Sequence, residues 1–97
     1  MAKKIIWTQK AQLERTVILA YWIERNKSKT YSIKLNKLFI ETLRILAKQP
    51  SLGRKTDVNN VRVKVVRDYL LFYETSETEL IVLSVWDGRR NPTEHKI

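Results

Sequence analysis

The run Ile81–Trp86 constrains this chain more than any other. Ile81, Leu83 and Val85 fall on one side of a period-two pattern, and Val82, Ser84 and Trp86 on the other. A strand that is apolar on both faces is usually a central, covered one. It runs straight into Asp87-Gly88-Arg89-Arg90-Asn91-Pro92, a turn carrying paired arginines at the point where side chains leave the core. The remaining sequence is therefore expected to build a platform behind this strand and a basic surface around its exit.

The elements that could form the platform follow from pattern. Lys4–Trp7 reads as a short strand, and the Thr8 hydroxyl can cap the helix that follows over residues 9–26. In that helix Leu13, Val17 and Tyr21 are spaced by four, with Ile18 and Trp22 widening the stripe. Asn26-Lys27-Ser28-Lys29 breaks the pattern, and Ser28 or Thr30 can cap a second helix. Tyr31–Gln49 has the clearest helical period: Tyr31, Leu35, Leu38, Phe39, Leu43 and Leu46 on one face, with Lys34, Lys37, Glu41, Arg44 and Lys48 on the other. Pro50 ends it, because the residue before a proline is pushed out of the helical region. Residues 51–60 read as polar loop. Val61–Val66 alternates, Asp68 and its neighbours make a turn, Tyr69–Thr75 is a strand, Ser76-Glu77-Thr78 a tight connection and Glu79–Trp86 the last strand. The expectation is a single α+β domain over residues 1–97. Its order is β-α-α-β-β-β, with a helical hairpin on one face of a small, mainly antiparallel sheet.

Charge narrows the function. The chain has 19 Lys+Arg against 10 Asp+Glu, a formal net charge of +9. Such an excess suits a polyanion or an acidic protein as partner. Residues 1–27, 28–60 and 61–97 carry +4, +5 and 0, from six bases and two acids, seven and two, and six and six. There is no cysteine, which excludes disulfides and thiolate metal sites and fits a reducing cytoplasm. No apolar run approaches a membrane span, and the start of the chain has too few apolar residues for a signal peptide.

Three groupings could carry chemistry. The basic set Arg62, Lys64, Arg67, Arg89 and Arg90 could meet phosphate, since the arginine fork binds two oxygens and clustered cations stabilise a developing anion. It could equally be a solvated rim. The single histidine, His95, could serve as general acid or base only by folding back onto those cations. The aromatic residues Tyr69, Phe72, Tyr73 and Trp86 could stack bases or fill the core, with Tyr69 the candidate for exposure because it opens its strand. No His/Cys/carboxylate spacing matches a metal site, and no glycine-rich phosphate loop is present. No cofactor is expected.

Several strings, in order, resemble the RelE/ParE toxin superfamily of bacterial type II toxin–antitoxin modules. They are Trp7-Thr8-Gln9-Lys10-Ala11, Pro50-Ser51-Leu52-Gly53-Arg54, Val61-Arg62, Tyr69-Leu70-Leu71-Phe72-Tyr73 and Trp86-Asp87-Gly88-Arg89-Arg90-Asn91-Pro92. The resemblance implies a small cytoplasmic toxin held inactive by a cognate antitoxin. RelE-like members act with the ribosome on mRNA through basic residues in place of a metal; ParE-like members poison DNA gyrase. On the RelE pattern the resemblance implies Arg62, Lys64, Arg90 and His95 as catalytic residues; Arg67, Arg89, Tyr69, Arg54 and Lys55 are the residues expected along the nucleic acid. It also implies an arginine after Tyr69, where this chain has Leu70. The expectation drawn from these cations is metal-independent mRNA cleavage, with gyrase inhibition, or antitoxin binding without catalysis, as the alternatives.

Overall fold

The computed structural model describes residues 2–89. Strand β1 (Lys4–Trp7) leads into helices α1 (Gln9–Asn26) and α2 (Thr30–Lys48), then a 3-10 turn (Pro50–Leu52). Strands β2 (Arg54–Lys55), β3 (Val61–Val66), β4 (Tyr69–Thr75) and β5 (Glu79–Asp87) complete the chain's regular elements among the described residues. The helices begin and stop where local chemistry dictates. The Thr8 hydroxyl accepts the Ala11 N–H at 3.1 Å, satisfying a first-turn donor that the helix itself cannot. Lys27 closes α1 in the left-handed region at φ 52°. Ser28 Oγ accepts the Thr30 N–H at 3.2 Å, and Pro50 stops α2 one residue after Gln49.

The strands form one sheet in the order β1-β5-β4-β3-β2. β1 runs parallel to β5, and the other pairs are antiparallel. The strand read as central, β5, is flanked on both sides. The difference from expectation is β2: two residues inside the polar loop pair Arg54 with Val63 and Lys55 with Arg62. So short a strand has no pattern of its own, and its pairing is imposed from across the sheet.

The helical hairpin covers one sheet face. Leu35, Phe39, Leu43 and Leu46 of α2 are at most 2% exposed and pack with Val66, Tyr69, Leu71, Tyr73, Leu80, Val82 and Val85. Each such side chain contributes about 1.5–3 kcal/mol relative to exposure to water. Ser32, buried in the same face, donates to the Leu19 carbonyl at 3.0 Å and ties the two helices. The opposite sheet face carries a second cluster of Val61, Phe72 and Trp86 with Val63, Leu70 and Leu83. Among the described residues no helix is long and apolar enough to cross a membrane.

The β4–β5 ladder is irregular at one point. Phe72 pairs with Ser84 but Tyr73 pairs with Val82, so Leu83 is an extra residue in β5. A bulge leaves backbone donors off the ladder. Here the Val85 N–H is taken by the Glu14 carboxylate of α1 at 3.0 Å, and Ser84 Oγ donates to the same oxygen at 3.0 Å. Lys10 holds the other carboxylate oxygen at 3.0 Å.

Candidate functional site

The exit of β5 is built by the β3–β4 turn. Tyr69 pairs with Asp87, so the turn residues Arg67 and Asp68 lie beside the last residues of β5. The Gly88 N–H donates to the Asp68 carbonyl at 2.7 Å. A Cβ at Gly88 would stand 2.9 Å from that oxygen, so only glycine allows this approach. Asp87 then clamps Arg89: Oδ1 accepts from the Arg89 N–H at 2.9 Å and Nε at 3.0 Å, and Oδ2 from the guanidinium at 2.9 Å. The Asp87 hydrogen bonds raise the Arg89 pKa above its usual value. The guanidinium lies 5.8 Å from the Trp22 ring. Trp22 Nε1 in turn donates to the Tyr69 hydroxyl at 2.7 Å.

Tyr69 corrects one expectation. It is 2% exposed and packs edge-on against Phe39 at 5.8 Å between centroids. Burial raises its pKa. Its ring is part of the core, with no face left for a base. Phe72, Tyr73 and Trp86 are buried as well, which settles the aromatic set in favour of packing. The residue that opens a strand is not at the surface here, because α1 folds back over the turn and brings Trp22 onto it.

Arg62 also has a different occupation. Its guanidinium donates to the Gly53 carbonyl at 2.7 Å. The Gly53 N–H donates to the Tyr73 hydroxyl at 3.0 Å, and that hydroxyl donates to the Pro50 carbonyl at 2.6 Å. Burial raises the Tyr73 pKa, opposed by the Gly53 hydrogen bond. The string from Pro50 to Arg54 is thus a clamp that fastens the end of α2 to β3 and β4. Arg62 sits opposite Tyr73, four residues along β4 from the register of Asp87. That is about 13 Å along the sheet and about 10 Å across two strand spacings. Lys64, opposite Leu71, lies between them and is half-buried. Arg54 and Lys55 are exposed on β2, and Arg67 is exposed in its turn. Leu70 lies in the apolar cluster of the open face. The described cations therefore form separate groups and do not converge on one point. Arg90 and His95 lie outside the described residues.

The feature that sequence reading did not place is on α1. Leu13, Val17 and Tyr21 are 60%, 68% and 49% exposed; the side of α1 that enters the core is Ala11, Ile18, Leu19 and Trp22. Beside the exposed stripe runs a groove. One stretch, about 210 Å³, is lined by Leu13, Val17, Val85 and Trp86. The next, about 290 Å³, is lined by Val17, Tyr21, Tyr69 and Arg89. Ile18 and Asp87 line both, so they are continuous. The exposed stripe and the groove beside it make this side of α1 a candidate interaction surface. The sequence did hold a signal: residues 17–23 of α1 are apolar at every position, more than one face can bury.

The bulge network supports this groove, since Glu14 holds Val85 in its wall. Glu14→Ala would take away the acceptor of the Val85 N–H and of the Ser84 hydroxyl. We expect a loss of about 1–3 kcal/mol in chemical denaturation, with Glu14→Gln, which keeps a carbonyl acceptor, recovering part of it.

This arrangement, a helical hairpin on one face of a five-stranded mixed sheet with β5 inside, is the RelE/ParE-like α+β fold. Residues 5–92 match the family model of the ParE toxin of the type II toxin-antitoxin system parDE. The chain belongs to that family, as a toxin whose partner is a cognate antitoxin. Among solved structures it is similar to the chromosomal ParDE TA system from P. aeruginosa, at 17% identity and a TM-score of 0.74, over 87% of this chain and 94% of that one. No curated protein matches it in sequence.

Proposed function

We propose that this toxin stops growth by binding DNA gyrase and not by cutting mRNA. We propose further that its antitoxin silences it by laying an amphipathic helix along the α1 groove. The observation that carries the first part is the use of Arg62. Its guanidinium holds the Gly53 carbonyl, far along the sheet from Arg89, which Asp87 clamps. Metal-free phosphodiester cleavage needs several cations aimed at one phosphorane, and here two of the candidates are engaged in the fold and a third position is Leu70. The reading also agrees with membership of the ParE family rather than a RelE one. Support for the second part is the stripe of Leu13, Val17 and Tyr21, whose spacing of four suits a helix-in-groove partner. The chain's net charge of +9 suits an acidic one.

The test is expression without antitoxin, read in two ways. Purified gyrase should lose supercoiling activity on addition of the toxin, and cells should induce a DNA-damage response while transcript 5′ ends stay unchanged. New 5′ ends in ribosome-bound messages, with supercoiling intact, would overturn the gyrase reading.

A further inference from the structure

The face of α2 that points away from the sheet carries a line of charge that neither the core nor the groove uses. Lys34, Lys37, Glu41, Arg44 and Lys48 are all exposed, and their 3-4-3-4 spacing stacks them in one straight row. The row spans about 21 Å of helix axis. It holds four cations and one acid, and that acid touches only Lys37, at 3.9 Å in an exposed pair. Exposed Ile33 and Ile45 flank it.

Helix stability does not account for this row. A solvated face gains from opposite signs three or four residues apart; in this row Lys37–Glu41 and Glu41–Arg44 have that spacing, and both depend on the one acid. The first turn has no acidic residue, and the N-cap is Lys29, a cation at the end of the helix dipole that disfavours one. Of the row itself only Lys48 lies in a terminal turn, the last one, where the dipole favours a cation; Lys34, Lys37 and Arg44 gain nothing from the helix ends.

We propose that this ridge binds the phosphate backbone of duplex DNA. A duplex strand presents a phosphate every 3.4 Å or so of axis, so a row of about 21 Å covers about six of them. Proteins that take single-stranded nucleic acid add rings for the bases to stack on. The row has none: Phe39 is buried and Tyr31 half-buried against Trp22. A rigid, straight, ring-free row of cations fits the continuous backbone of a duplex. The inference goes beyond the gyrase reading and does not depend on it. If both hold, the toxin touches the DNA that the enzyme carries.

The experiment is fluorescence anisotropy of a labelled duplex of about 20 base pairs with the purified protein. Four phosphate contacts predict that affinity falls about 100-fold between roughly 50 and 200 mM salt. Lys34→Gln with Arg44→Gln should make the salt slope shallower by about two contacts, while circular dichroism stays that of the parent. Single-stranded RNA of equal length should bind more weakly. No duplex binding at low salt overturns the proposal. So does an unchanged slope in the α2 variant, or tighter binding to duplex or single-stranded RNA. Failure here leaves the supercoiling result standing, because this measurement uses naked DNA.

Discussion

Gly53→Ala is expected to destabilise the protein by about 2–4 kcal/mol. A Cβ built at Gly53 stands 2.1 Å from the Tyr73 hydroxyl and 2.8 Å from its ring. The hydroxyl cannot give way without breaking two bonds, to the Gly53 N–H and the Pro50 carbonyl. The ring cannot move either, because Tyr73 is fully buried. Overpacking in such a place costs about 1–3 kcal/mol, and an orphaned buried donor a similar amount. Urea denaturation of Gly53→Ala, Tyr73→Phe and the double variant checks the cause. Tyr73→Phe alone should lose about 1–3 kcal/mol through the unsatisfied Gly53 N–H. The double variant should lose clearly less than the sum, since removing the hydroxyl removes the closest clash. Strict additivity would show that the two residues do not share the clamp.

Val17→Glu should separate binding from folding. Val17 is 68% exposed at the middle of the α1 stripe, so its replacement changes stability by no more than about 0.5 kcal/mol. In the groove of Leu13, Val17, Tyr21, Val85 and Trp86 it puts a charge where an apolar partner face would sit. A residue at the centre of a docked interface is worth about 2–4 kcal/mol, a loss of roughly 30- to 1,000-fold in antitoxin affinity. Calorimetric titration of the refolded variant with its antitoxin measures this directly. In cells the variant should remain toxic in the presence of antitoxin. Affinity within about threefold of the parent would place the antitoxin elsewhere on the molecule.

Most of the architecture was legible because it is local. The period-two run Ile81–Trp86 specified a central strand, and β5 lies between β1 and β4, although the helices cover only one of its faces. The Thr8 cap and the Pro50 stop marked helix ends to within a residue, since capping and proline sterics act over one turn. What escaped was β2, whose two residues pair only because β3 presents them a partner. The α1 stripe also escaped. Its spacing says that Leu13, Val17 and Tyr21 share a face, but not whether that face meets the sheet or solvent.

The site residues were legible as residue types and not as a site. Period two put Arg62 and Lys64 on one face; it could not say that the Gly53 carbonyl waits for Arg62, because that carbonyl comes from a loop held by Tyr73, 20 residues on. Asp87 and Arg89 are neighbours in sequence, yet the clamp between them depends on Gly88 reaching Asp68 across the sheet. By itself the sequence determined the helices and the longer strands, their order, the central strand and the excess of positive charge, all consequences of the pattern of residues along the chain. Tertiary structure alone decided which cations are engaged within the fold, which aromatics are core and which apolar stripe is left exposed. Those depend on which groups from distant segments meet, and pattern within one segment does not fix that.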